Sequence, residues 1–117
     1  MPPRDVRLLL QDIVDACDLI MQCTPPDGRD SYLADPIRRS SVERQFEIIG
    51  EAMKRLLDAT PGLSFQLPEA REVIQFRNFI SHGYHLIDHG VVWTIAQTDV
   101  PALRRRATLI LSDTAQG

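Results

Sequence analysis

Residues 36 to 59, PIRRSSVERQFEIIGEAMKRLLDA, set Val42, Phe46, Ile49, Met53 and Leu56 at three- and four-residue steps among charged positions. At about 100° per residue these side chains fall on one stripe, so the segment predicts an amphipathic α-helix that must bury that stripe against other elements. Pro36 is tolerated because the first helical turn has no use for the N–H it lacks. This is the longest element in the chain, and whatever else folds has to cover it.

The remaining segments supply that cover. Residues 6 to 21 carry Val6, Leu9, Leu10, Ile13, Cys17, Ile20 and Met21 at helical steps, with Asp12, Asp15 and Asp18 between them. They predict a first helix, which ends before TPPDGRD (24 to 30), where two prolines and a glycine make a loop. TPGLSFQL closes the long helix, and Pro68 with Glu69 opens a third, whose apolar positions include Ala70, Val73, Phe76 and Ile80. Asp88 caps a last helical region containing Val92, Trp93, Ile95 and Ala96, and Pro101 either kinks it or divides it before Leu103, Ala107, Ile110 and Leu111. Without strand-like alternation or an internal repeat, the expected fold is all-α: a compact antiparallel bundle of four to five helices, one domain over residues 1–117.

A chain of 117 residues buries only a modest core, so a dimeric bundle is expected, in which a second copy completes the burial. Hydrophobic residues at 44% and charged residues at 25% belong to ordinary globular proteins. No apolar run reaches the roughly 18 residues of a membrane span, and MPPRDVRLLLQD turns acidic instead of ending at a small-residue cleavage site, so no membrane partner and a cytoplasmic location are expected. Cys17 and Cys23 point about 120° apart on one helix, which suits small buried hydrophobes better than a disulfide or a metal pair. The net charge of -3 offers no global attraction for nucleic acid. Any such site must be local, and Arg38, Arg39 and Arg44, or Arg104, Arg105 and Arg106, are the candidate clusters, although charge runs on helices are usually solvated faces.

Residues 77 to 85, RNFISHGYH, concentrate the groups that hold phosphates or move protons. On a helix Arg77, Ser81 and Tyr84 share one face, while Asn78, His82 and His85 line a second. Arg77 and His82 lie about 140° apart, so they converge only across a groove, through a distortion at Gly83, or through a two-fold dimer that brings two copies together. The residue types suit metal-free cleavage of RNA. A histidine can take the 2′-hydroxyl proton or return one to the leaving oxygen near neutral pH, and Arg77 can stabilise charge on the phosphate. Asn78 and Ser81 would orient the phosphate or the imidazole. Spacing alone favours a plainer account, a salt bridge at Arg77 and a hydrogen-bonded His82, because Arg-x4-His occurs by chance in many helices.

Two metal readings are weaker. His82, His85 and His89 stand at i, i+3 and i+7 and would face one ion only on an unbroken helix, against which Gly83 and Asp88 argue. Glu43, Glu47 and Glu51 form a stripe like that of a di-metal carboxylate bundle, but no Glu-x-x-His accompanies it, and pairing of one or two of them with Arg77 or another cation is the better expectation. Trp93 reads as core.

RNFISHGYH resembles the R-x4-H-x-Y motif of HepT-like proteins, a branch of the HEPN superfamily. SVERQFEIIGEAMKRL (41 to 56) looks like that family's second-helix signature, and VVWTIAQTDVPAL (91 to 103) is similar to its tryptophan and Asp-x-Pro segment. The resemblance implies a homodimer of HEPN-like bundles and a metal-independent RNA endonuclease with no cofactor, the toxin of a HepT/MntA-type toxin–antitoxin pair acting on tRNA or mRNA. It implies Arg77 and His82 as the catalytic pair, with Asn78 in support. It also implies that a minimal nucleotidyltransferase antitoxin adenylylates Tyr84, which would place phosphate charge on Arg77's helical face and compete with RNA. The competing expectation is a non-catalytic partner that binds a nucleotidyltransferase and presents substrate to it, which fits the tyrosine and the absence of a basic surface.

Overall fold

Asp35 and Pro36 set the start of the helix on which the rest is assembled. The Asp35 carboxylate accepts the N–H groups of Ile37 and Arg38, each at 3.1 Å, and so satisfies two of the donors that a helix start leaves open. The computed structural model describes residues 4–82 and 87–116; for Arg4, residues 78–82 and residues 114–116 it describes the backbone alone. Its helices are α1 (Arg4–Cys23), α2 (Arg29–Ala34), α3 (Pro36–Ala59), α4 (Ala70–His82) and α5 (His89–Gln116), with a 3-10 turn at Pro61–Phe65 after α3. Among the described residues the chain is all-α, as its periodicity predicts, and the long helix has the expected bounds.

The middle layer is α1, which packs on both α3 and α5. Its Val6, Leu10, Ile13, Cys17 and Ile20 are buried in one core with Val42, Phe46, Ile49, Met53 and Leu56 of α3 and Val92, Ala96, Val100, Leu103 and Ala107 of α5. Cys17 is a core residue whose burial pushes its thiol up to about 12, and both cysteines are free. Trp93 is core, its ring centroid 5.6 Å from that of Tyr32. Arg104 pairs with Asp18 and ties α5 to α1, while Gln97 Nε2 donates to the Thr24 carbonyl at 2.7 Å. At about 1.5 Å per residue the 28 residues of α5 account for nearly all of the 45 Å long dimension.

Two local expectations change. Pro101 does not divide α5, which is one helix. The proline forfeits a single backbone bond to residue 97, and burial of Val100 and Leu103 on either side offsets that loss. The loop after α1 gives way at Arg29 to α2, whose six residues are too few for a periodic signal. Asp88 caps α5 as predicted, accepting from the N–H groups of Gly90 at 2.9 Å and Val91 at 3.3 Å.

The corner where α2, α3 and the start of α5 meet is polar and incompletely satisfied. Tyr32 is wholly buried, and its hydroxyl has no hydrogen-bond partner among the described residues, nor do Arg39 Nε or His89 Nδ1. Burial holds the Glu43 carboxyl above the usual carboxylate range, with Glu47 adding to the rise and His89 and Arg39 opposing it.

Removing the stranded hydroxyl should help. Tyr32→Phe is predicted to raise stability by about 1 kcal/mol, read from urea or thermal melts, since a buried unpaired hydroxyl carries a desolvation penalty. An unchanged or lower melting temperature would mean that the hydroxyl is satisfied in solution. For Glu43 the folded state binds its proton more tightly than the unfolded state does, so its contribution is fully present at low pH. That contribution is lost as pH rises from the unfolded carboxylate range through the raised folded value. Glu43→Gln should therefore raise the melting temperature at pH 7 and leave it unchanged at pH 3; an equal gain at both would assign the effect to something other than charge.

Candidate functional site

Arg77 projects from α4 onto α3, where it meets Gly50 and Glu51. Gly50 is buried, and a methyl group added there would lie 2.3 Å from Arg77 Cβ and 2.5 Å from Cγ. No side chain fits at that distance, so the two helices approach this closely only because residue 50 has none. Beyond the stem, Arg77 Nη2 lies 3.3 Å from Glu51 Oε2, and Arg55 Nε donates to Glu51 Oε1 at 3.2 Å. One carboxylate thus lies between two guanidinium groups. The Arg77 and Glu51 side chains are 30% and 43% exposed, so the pair adds at most about 1 kcal/mol of stability and matters more for orientation.

Arg77 lines a cavity of about 230 Å³ together with Asp12 of α1 and Arg44, Glu47, Glu51 and Arg55 of α3. Arg44 Nη1 lies 3.3 Å from Glu47 Oε2. The charged groups comprise three cations and three anions, and the guanidinium forks are of a geometry that suits a bidentate hold on an oxyanion. A larger cavity, about 330 Å³, opens between α3, α4 and α5 and is mainly apolar, lined by Phe46, Ile49, Val73, Phe76, Ile95 and Leu103 with Glu69, Glu72 and Asp99 among its polar groups. It exists because α4 packs along α3 with its Val73, Ile74 and Phe76 only half-buried. Phe76 and Phe46 meet edge to face there, with centroids 5.0 Å apart.

The site residues expected from sequence divide sharply. Arg77 stands in the polar cavity with its expected salt bridge to the glutamate stripe. Asn78, Ser81 and His82 form the end of α4 in backbone, but their side chains lie outside the described residues, as do Tyr84 and His85 entirely. The three-histidine metal reading required one unbroken helix through His89. Ile87 and Asp88 belong to no helix, and His89 starts α5, so that reading fails. In the glutamate stripe, Glu47 pairs with Arg44 and Glu51 with Arg55 and Arg77, so two of its three members are engaged by cations.

Of the basic clusters, Arg38 pairs with Asp35 at 3.8 Å, Arg104 with Asp18 and Arg106 with Glu69 at 3.1 Å. These arginines are tied to the scaffold, and Arg44 alone from the two clusters lines the cavity of Arg77. Arg55, paired with Glu51, is one of the cations that lie beside the glutamate stripe in sequence, whereas Gly50 was not singled out. A lone glycine inside a strong helical pattern was the available signal, since such a residue usually marks close packing.

The family model described as "Ribonuclease HepT-like" matches residues 13–110, a span that contains α3, α4 and RNFISHGYH. A "Probable ribonuclease HepT" of Thermococcus cleftensis is 33% identical over 95 residues, covering 81% of this chain and 86% of that protein. In Methanocaldococcus jannaschii, "Putative RNase MJ0127" is 32% identical over 101 residues (86% of this chain, 83% of the relative), and "Putative RNase MJ1380" is 28% identical over 110 residues (94% and 100%). No solved structure matches the chain. With the family model spanning most of the bundle and relatives matching along nearly their whole length, the chain belongs to the ribonuclease HepT-like family.

Proposed function

We propose that this protein is a metal-independent endoribonuclease, the toxin of a pair whose antitoxin is a nucleotidyltransferase. The observation that carries this reading is the Arg77 guanidinium in a polar cavity within the span that matches the ribonuclease HepT-like family. Relatives named as RNases support RNA as the substrate.

In the proposed reaction His82 takes the proton of a 2′-hydroxyl, whose oxygen attacks the adjacent phosphorus. The bond to the 5′ oxygen breaks, leaving a 2′,3′-cyclic phosphate, and the leaving oxygen collects a proton from a second acid. Arg77 holds the phosphoryl oxygens as negative charge grows on them. A homodimer would supply base and acid from two copies of the motif, and the apolar cleft beside α4 favours covering by a second subunit. Asn78 and Ser81 are assigned to orienting the phosphate. Adenylylation of Tyr84 by the antitoxin would set a phosphate against the same cation and switch the enzyme off.

The balance of three cations, Arg77 among them, and three anions in this cavity favours one other reading, a non-catalytic partner that presents substrate to the nucleotidyltransferase. The two separate cleanly. Purified protein incubated with cellular RNA in EDTA should cut it, and Arg77→Ala and His82→Ala should each lower the rate at least about 100-fold with unchanged circular dichroism. Cleavage that is lost with chelator, or retained in His82→Ala, overturns the mechanism; no cleavage by wild type leaves the presenting partner. Incubated with the nucleotidyltransferase and ATP, the protein should gain mass in multiples of AMP, and Tyr84→Phe should not. Persistence in that variant would move the modification elsewhere.

A further inference from the structure

We propose that Gly50 and Glu51 are positioning residues for Arg77: α3 seats the root of this side chain on a bare glycine and catches its tip with the next residue's carboxylate. This rests on the nuclease reading for its catalytic consequence, though the seat itself is a matter of packing.

Glycine is among the poorest residues for a helix interior, and Gly50 lies in the middle of the 24-residue α3. Its place is explained by what a methyl would meet, Arg77 Cβ at 2.3 Å and Cγ at 2.5 Å. The backbone alone fixes Cβ, so a change of rotamer can move Cγ but cannot relieve the collision at 2.3 Å. Ordinary carbon contacts need about 3.5–4 Å, so α4 would have to move away from α3 or turn about its axis, and either motion re-aims the guanidinium. At the other end, Glu51 Oε2 lies 3.3 Å from Arg77 Nη2. Because Glu51 also accepts from Arg55, the trio keeps a net positive charge, and Arg77 is oriented without losing its attraction for a phosphate. A displacement of about 1 Å in a catalytic group can cost on the order of 100-fold in rate.

The packing claim reverses a normal sign. Alanine for glycine inside a helix ordinarily stabilises; Gly50→Ala should instead lower the melting temperature. In an Arg77→Gly background, where both colliding atoms are gone, the same change should raise it. Gly62→Ala serves as the control, since an added methyl there meets nothing within 4 Å. In cleavage assays Gly50→Ala should lower kcat at least tenfold while affinity for a non-cleavable 2′-O-methyl RNA changes less than threefold. Glu51→Ala should lose at least fivefold in kcat, and Glu51→Gln, which keeps the acceptor oxygen, should recover most of it. The proposal is overturned if Gly50→Ala destabilises equally in both backgrounds, or if folded Gly50→Ala or Glu51→Ala turns over at the wild-type rate. Should Gly50→Ala fail to fold, the Glu51 pair decides. A wild type that cuts no RNA refutes the nuclease reading, and the melting cycle still decides the seat.

Discussion

The molecule depends on the burial of one stripe of α1 between α3 and α5. Val6, Leu10, Ile13, Cys17 and Ile20 recur at three- and four-residue steps, and each is no more than 1% exposed. By the usual transfer scale, burying one such aliphatic side chain contributes about 1.5–3 kcal/mol, so this stripe outweighs any ion pair in the chain. The polar ties between α1 and α5, among them Arg104 with Asp18, fix the register of a contact that the apolar faces already hold.

Against that two-sided burial, α4 is a one-sided helix. It lies along α3 and leaves an apolar cleft towards α5, so Val73, Ile74 and Phe76 stay half-buried. Elements with few buried contacts open at lower free energy than the core, and functional groups are often drawn from them. Arg77 sits on such an element, yet on a face where α4 approaches α3 closely, at Gly50. Its position is therefore tied to a close contact made by a helix that is otherwise only half-buried. Whatever separates α3 from α4 disturbs the cation before it disturbs the core.

Much of the fold was legible because the long helices declare themselves by period. α3 is readable to its ends, since Pro36 opens it and Pro61 and Gly62 stand just beyond Thr60, the residue after its last. Trp93 and Cys17 read as core because each sits on a helical apolar stripe, and both are. α2 was hidden because six residues cannot show a period, and the continuity of α5 across Pro101 was ambiguous because the loss of one backbone bond is weighed against packing that sequence does not display. At the site, the pairing of the glutamate stripe with Arg77 followed from charge and helical spacing. The contact at Gly50 did not, because it depends on the distance between two helix axes, which no one-dimensional pattern encodes. Asn78, Ser81, His82 and Tyr84 rest on sequence and resemblance alone.

The charge distribution bears on how such a site would work. The chain carries 16 acidic and 13 basic residues, and Arg38, Arg104 and Arg106 outside the cavity are tied to neighbouring carboxylates. For an RNA substrate, this acidic excess offers little net attraction to a polyanion, so a weak ground-state hold and a shallow salt dependence are expected. On the nuclease reading, catalysis then rests on interactions that strengthen as charge builds on the phosphate, which is where a single oriented guanidinium contributes most. On the same reading, weak ground-state binding would also make inhibition by an adenylyl group on Tyr84 effective. A tethered anion would compete at high local concentration for one cation, and the net charge of -3 gives RNA no global attraction to set against it.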